Sequence, residues 1–348
     1  MSASQLHCPV PLPYDHITMA HGGGGRLMQQ LLSTIIQSEF TNPLLNQHHD
    51  STVFAVNTGK LAFTTDSYVI NPIFFPGGDI GQLAVCGTLN DLAMSGAKPL
   101  YLSCSFILEE GFPITDLKRI VASMQTTAAR AGAAIITGDT KVVDKGKGDG
   151  IFINTAGIGV ITHNQTINPK QIQPGDNIIL SNDIARHGIA IMLEREGIRF
   201  NHKIVSDCND LSGLINNLLE KALDIHCLRD LTRGGLASGL IELAATSACE
   251  FEILEKNIPI QDDVQSACDI LGLDPLYIAN EGCCVLFIPE AQTAQMLKLL
   301  QANPLSHHAR HIGSVTAKHD RGRVSIKTHL GSHRVLELLS GEQLPRIC

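Results

Sequence analysis

The feature that most restricts the fold is an alternation, repeated in two halves of the chain, of short apolar runs with segments whose apolar residues recur at helical spacing. In the first half Leu100 to Leu108, Ala133 to Thr137 and Ile151 to Ile161 read as strands, the second of them short and buried, and Ile114 to Ala131 reads as an amphipathic helix. A hairpin is expected over Val53 to Val56 and Leu61 to Thr65, turning at Asn57-Thr58-Gly59-Lys60, followed by a buried helix over Gly78 to Ser95. Thr162 to Asp176, with Pro169, Pro174 and Gly175, has the polar, turn-rich character of a boundary. Strands then recur at Asn177 to Leu180, Phe251 to Leu254, Cys283 to Ile288 and Val324 to Ile326. Helices are expected at His187 to Glu196, Leu211 to Leu223, Gly234 to Cys249, Val264 to Leu271 and Ala291 to Ala302. Each half is long enough for one two-layer α/β domain. The expected division is an N-terminal segment over residues 1–40, domains over 41–162 and 170–329, and a mobile C-terminal tail over 330–348.

Charge and cysteine usage exclude several functions. With 26 Lys and Arg against 34 Asp and Glu, a net charge of −8, the chain lacks a broad electrostatic footprint for nucleic acid or an anionic membrane. No apolar run reaches the ~18–20 residues of a membrane span, so a cytoplasmic location is expected. Ten cysteines include no Cys-x-x-Cys pair, which argues for reduced thiols behaving mostly as small hydrophobes. Cys283 and Cys284 are vicinal in a strand-like run, and Cys348 ends the chain.

Small anions must then be bound locally. In His21-Gly22-Gly23-Gly24-Gly25-Arg26, residues without Cβ let backbone amides converge on an anion, and a helix begins just afterwards; a flexible linker is the plain alternative. Carboxylates recur at loop-like positions: Asp66 at a strand end, Asp79 and Asp91 flanking the buried helix, Asp139 after another strand. Either each caps a helix or turn, or Asp66, Asp91 and Asp139 converge on Mg²⁺ carrying a nucleotide. Lys141 lies two residues beyond Asp139, on the same face of an extended segment, with Thr140 between them. Arg229-Asp230-Leu231-Thr232-Arg233-Gly234-Gly235 places another carboxylate and two arginines before a glycine-opened helix, suited to metal and phosphoryl oxygens or to ordinary capping. Ala279-Asn280-Glu281-Gly282 offers a carboxylate at a strand entrance. A terminal thiol on a mobile segment could be carried into a site, charged there and carried out, although a chain may also end in Cys by chance.

Taken together, these segments resemble the HypE family of hydrogenase maturation proteins, within the PurM-like ATP-binding superfamily. The resemblance spans nearly the whole chain. It is carried by Thr65 to Pro99, Ile136 to Val143 (ITGDTKVV), Arg229 to Ala237 (RDLTRGGLA), Leu273 to Gly282 (LDPLYIANEG) and the ending Pro345-Arg346-Ile347-Cys348. It implies an N-terminal α/β domain whose strands pair across a homodimer to form a barrel, a C-terminal α/β domain and a flexible tail. It further implies that HypF carbamoylates the Cys348 thiol and that ATP drives dehydration of the thiocarbamate to a thiocyanate. Cyanide then passes to iron on HypC and HypD. On this pattern ATP would be held by Gly22, Gly23, Gly24, Gly25, Asp66, Asp91, Asp139, Thr140 and Arg233, and Mg²⁺ by Asp66, Asp91, Asp139 and Asp230. Cys348, Lys141 and Glu281 would be catalytic, with Lys141 or Glu281 as the base. Two positions depart from the family pattern: Arg186 stands where Asp usually precedes His-Gly, and Cys283 where Lys is common. The competing readings are another PurM-like ATPase acting on a free small molecule, as selenophosphate or aminoimidazole ribonucleotide synthetases do, and a non-enzymatic thiol or metal scaffold.

Overall fold

The computed structural model describes residues 25–31, 33, 49–56, 59–200, 202–221 and 223–339. Gly22, Gly23, Gly24, Cys8 and residues 340–348, Cys348 among them, lie outside the described residues. Residues 330–339 of the expected mobile tail instead join the fold, where His333–Val335 pairs with the strand Arg323–Lys327 and Leu336 is buried.

The first half is built on a five-stranded sheet in the order β1-β2-β7-β5-β6. Its strands are β1 (Thr52–Val56), β2 (Gly59–Tyr68), β5 (Lys98–Glu109), β6 (Ala134–Val143) and β7 (Ile151–Ile161). All pairings are antiparallel except β5 with β6. A small hairpin, β3 (Phe74–Phe75) and β4 (Gly78–Asp79), leads into helix α2 (Ile80–Met94). The expected hairpin is β1–β2. One face of the sheet is covered by α2 and α3 (Ile114–Arg130), with Leu83, Leu89, Leu102, Ile120, Met124 and Ile153 in the shared core. The other face exposes Phe63, Tyr101 and Ile107, and Ile136 and Val142 are exposed on the edge strand β6.

The second half carries a seven-stranded sheet in the order β14-β13-β10-β12-β8-β11-β9. Its strands are β8 (Asp176–Leu180), β9 (Cys227–Asp230), β10 (Cys249–Leu254), β11 (Cys284–Pro289), β12 (Arg310–Lys318), β13 (Arg323–Lys327) and β14 (His333–Val335). The helices of this half are α4 (Arg186–Glu196), α5 (Ser212–Glu220), α6 (Gly235–Ser247), α7 (Asp262–Leu271) and α8 (Thr293–Gln301). α6 packs on one side of the sheet and α5 and α8 on the other, against inward residues of β8, β10 and β11 that are almost wholly buried, while α4 and α7 pack against each other. Ahead of both sheets, α1 (Arg26–Leu31) follows Gly25.

Helix α2 explains how the halves meet. It is apolar on nearly all sides and buried along its length, because the first sheet covers one side while α5 and β9 of the second half cover another. Its first turn is capped by Asp79, whose Oδ1 accepts from the Gly81 and Gln82 amides at 2.7 and 3.0 Å. The capping alternative therefore applies to this acid.

Three further expectations need correction. The run expected to be a short buried strand ending at Thr137 continues to Val143, so Gly138 to Lys141 lie within β6 and not after it. β6 is an edge strand, which leaves Ile136 and Val142 61% and 63% exposed. The helix expected to reach Cys249 stops at Ser247, where Ala248 takes a left-handed conformation (φ 51°) and turns the chain into β10. Strand β12 had no expectation: His311, Gly313, Ser314 and Thr316 dilute its apolar alternation, yet it pairs with β10 and β8 in the middle of the second sheet.

Candidate active site

The carboxylates that converge are Asp50, Asp91 and Asp230. One ligand oxygen from each lies within 4.8 Å of the others. Asp50 lies two residues before the start of the first strand, Asp91 lies on the last turn of α2 and Asp230 ends β9, so the packing of α2 against β9 assembles the group. Thr64 Oγ1 on β2 donates to Asp91 Oδ2 at 2.7 Å. Arg229 Nη1 donates to Asp50 Oδ1 at 2.7 Å, and His49 Nδ1 lies 3.2 Å from the other Asp50 oxygen.

Electrostatics separate the three acids. Burial works to raise the Asp50 carboxyl, but Arg229 and His49 outweigh it, and the net shift is downward. Asp91 and Asp230 are pushed well up. For Asp91 the causes are burial, then repulsion from Asp230, Asp66 and Asp50; for Asp230 they are burial, then Asp50, with Asp66 a smaller contributor. Tyr68, raised by burial and by Asp66, Asp91 and Glu281, belongs to the same field.

Glu281 completes the negative pocket. It is 2% exposed, and its Oε1 is buried without a hydrogen-bond partner. Burial raises its carboxyl well above the usual range, with repulsion from Asp230, Asp207 and Asp66 adding to the effect. The backbone beneath is held firmly: the Glu281 and Gly282 amides donate to Asp207 Oδ1 and Oδ2 at 3.2 and 3.0 Å. Asn90 Nδ2 and the Asn209 amide donate to the Glu281 carbonyl, each at 3.3 Å. Asn280 ties the same segment to α4 and β9, accepting from the Ala185 amide at 2.7 Å and donating to the Leu231 carbonyl at 2.9 Å. A Cβ at Gly282 would overlap the Asp207 carbonyl, and one at Gly235 would sit 2.6 Å from the Ile278 carbonyl. Gly235 thus lets the RDLTRGG segment approach the residues leading into ANEG, and Gly282 lets ANEG approach the Asp207–Asn209 backbone.

The sequence-expected residues divide into two groups. Asp91 and Asp230 lie in the cluster, and Asp66, on the α2-facing side of β2, lies within its electrostatic reach. Arg233 is exposed at the entrance to α6 and attracts Glu242. Gly25, the described end of the glycine run, is buried, and its carbonyl accepts from the Gln29 amide at 3.1 Å. Asp139 and Lys141 do not join the group. They pair with Ser105 and Ile107 on the sheet face opposite Cys104 and Phe106, which pack toward α2; Thr140 is exposed between them at the sheet edge. Within one copy the sheet stands between Asp139 and Asp91. The residue not anticipated is Asp50, whose only sequence signal is one acid after His48-His49, ahead of a strand. Of the two departures, Arg186 Nε donates to the buried Asp183 at 2.5 Å, and Cys283 packs against Ser181 and the Asn182 carbonyl.

The donor set fits a divalent cation such as Mg²⁺. Hard carboxylate oxygens gather in one group, two of the three acids are driven toward protonation by burial and by their neighbours, and Glu281 adds an unsatisfied oxygen. A cation would relieve that mutual repulsion.

Both halves of the chain match known protein families. The family model for the N-terminal domain of AIR synthase related proteins matches residues 48–161, and that for the C-terminal domain matches residues 173–325. Carbamoyl dehydratase HypE of Azotobacter vinelandii is 47% identical over 332 residues, 95% of this chain and 97% of its own. The chain belongs to the HypE family. A solved HypE–HypF complex superposes with a TM-score of 0.83 at 41% identity, covering 89% of this chain and 99% of that one. A HypE structure in complex with ATP superposes at 0.80 with 44% identity, over 95% of this chain and 100% of that one. The fold is therefore the PurM-like mixed α/β architecture of HypE proteins.

Proposed function

We propose that the chain dehydrates an S-carbamoyl group on its own Cys348 to a thiocyanate, using ATP and Mg²⁺, and so supplies the cyanide ligand of a NiFe-hydrogenase centre. The observation that carries the reading is the Asp50–Asp91–Asp230 cluster beside the unsatisfied Glu281 carboxylate, in a chain 47% identical to a carbamoyl dehydratase. A relative solved with ATP and another solved with HypF support the nucleotide and the carbamoyl-donating partner. HypC and HypD are the proposed acceptors.

Asp50, Asp91 and Asp230 would hold the cation, with Asp66 nearby. When bound, Mg²⁺ neutralises phosphate charge and fixes the transferred phosphoryl group in line. The thiocarbamate oxygen takes the γ-phosphoryl group and ADP leaves. One amide proton passes to a base, the second departs on phosphate, and the carbon–oxygen bond breaks to leave the S–C≡N group. We assign the base to Glu281, because burial makes its carboxylate a stronger proton acceptor than a solvated one. Arg233 and the glycine loop would meet phosphoryl oxygens.

The position of Asp139, Thr140 and Lys141 favours a homodimer. Asp139 and Lys141 share the exposed sheet face with Phe63, Tyr101 and Ile107, with Thr140, Ile136 and Val142 exposed beside them along the edge strand, and a second copy packed over that face and edge would bury these residues and enclose Asp139 and Lys141 at the seam. Sedimentation of the protein and of Ile107→Asp should show a dimer that dissociates in the variant; a wild-type monomer would sink this part of the reading.

The decisive experiment is mass spectrometry of the C-terminal peptide after carbamoylation. Mg-ATP should remove about 18 mass units, the water lost in converting amide to nitrile by phosphoryl activation. Full ATP-dependent turnover on a diffusible substrate after Cys348→Ala would favour the small-molecule alternative instead.

A further inference from the structure

Arg229 divides one positive charge between two carboxylates. Its Nη1 donates to Asp50 Oδ1 at 2.7 Å, and its Nη2 donates to Glu242 Oε2 at 2.9 Å. The other Glu242 oxygen, Oε1, accepts from Gln29 Nε2 at 2.8 Å. Gln29 lies on α1, and the Arg26 amide of that helix donates to the Leu339 carbonyl at 2.9 Å. An unbroken run of polar contacts thus leads from the carboxylate cluster, through Arg229 and Glu242, to the helix that follows the glycine run and to the backbone from which residues 340–348 continue.

Glu242 is not among the gathered carboxylates, and the dehydration has no step for it. Its place on α6 nevertheless bears on the cluster. A guanidinium bonded to a cation ligand competes with the cation for that oxygen, and the competition is strongest when the guanidinium has no second anion to satisfy it. We propose that Glu242 is a positioning residue: by taking a share of the Arg229 charge it leaves Asp50 available to a divalent cation, and Gln29 holds Glu242 in place for this. Cation affinity then depends on the docking of α1, and through Arg26 the helix also anchors the start of the C-terminal segment. The proposal rests on the cation reading of the Asp50–Asp91–Asp230 cluster.

Two physical effects act in the same direction. Removing the Glu242 charge makes the surroundings of the cluster less negative, and it leaves Arg229 paired with Asp50 alone. Both weaken cation binding. Loss of the Gln29 amide frees the Glu242 side chain without removing charge, so its effect has the same sign and smaller size.

The test is titration of the full-length protein with Mn²⁺, read as the loss of the free-ion electron paramagnetic resonance signal. Glu242→Gln should bind roughly tenfold more weakly than wild type, the size expected for removing one charge near a partly buried site. Gln29→Ala should weaken binding by roughly threefold, less than the full value of a hydrogen bond to a charged group because Glu242 keeps its charge and its contact with Arg229. The double variant Q29E/E242Q preserves net charge and an acid–amide pair between α1 and α6 but turns the amide toward Arg229. It should remain weaker than wild type, and its metal-free melting temperature separates weak binding from loss of fold. Wild-type affinity in Glu242→Gln, or its return in the double variant, would overturn the positioning role while leaving the cation reading intact. A wild-type protein that binds no Mn²⁺ would overturn the cation reading itself.

Discussion

Asp230 shows how a residue can be costly to the fold and necessary to the site. Its carboxyl is raised by burial and by Asp50, so in the cation-free protein its charged form is disfavoured relative to the unfolded chain. Asp230→Asn should leave the metal-free melting temperature unchanged or higher, while ATP-dependent turnover falls by roughly a hundredfold or more through lost phosphoryl stabilisation. A large drop in melting temperature would instead mark Asp230 as structural. At this scale the sequence was partly legible. Asp91 and Asp230 stand in motifs that announce them, next to Asn90 in one case and before a glycine-opened helix in the other. Asp50 was not legible, because its role arises only when the segment before β1 meets α2 and β9. Asp139 and Lys141 were read correctly as sharing one face, but which face depends on sheet packing that spacing does not encode.

Among the elements, α2 has the most demanding position. A Cβ added at Gly81 would sit 2.5 Å from the Ile120 carbonyl on α3 and 2.8 Å from Met124 Cγ, so the two helices approach as closely as a glycine allows. Gly81→Ala should cost about 1–3 kcal/mol through overpacking. Denaturant unfolding would measure the loss, and because Asp91 rides the far end of the same helix, cation affinity should fall with it. The helix itself was legible as a long apolar segment with turn residues before it. Strand β12 was not, since a strand between two others can tolerate Gly313 and Ser314 once neighbouring backbones supply its hydrogen bonds, and the apolar pattern then weakens. β6 misled in the opposite way: its apolar residues suggest burial, yet an edge strand leaves them on the surface.

The whole molecule stores electrostatic strain between its halves, and that gives stability a characteristic dependence on pH. Asp91, Asp230 and Glu281 all have raised proton affinities in the fold. The folded state therefore binds more protons than the unfolded one over the window above the ordinary carboxylate range, and the contribution of these groups to stability falls as pH rises through it. On the proposed reading a divalent cation replaces the protons. The rise in melting temperature on adding Mg²⁺ should accordingly grow between about pH 5 and pH 8, and a rise independent of pH would show that the cation binds elsewhere. The two-half α/β architecture was legible from the alternation and the turn-rich boundary; the meeting of the halves around one helix was not, because it depends on contacts between distant segments. The cysteines show a further property of this architecture. All eight that lie among the described residues are buried, and burial raises the Cys104 thiol to about 11 and the Cys268 and Cys284 thiols to about 12. Sulfur held this way stays protonated and unreactive toward electrophiles. On the proposed reading, in which one chosen sulfur receives an acyl-type group, the fold acts as a protecting group for these eight thiols, so that they do not compete when a donor arrives.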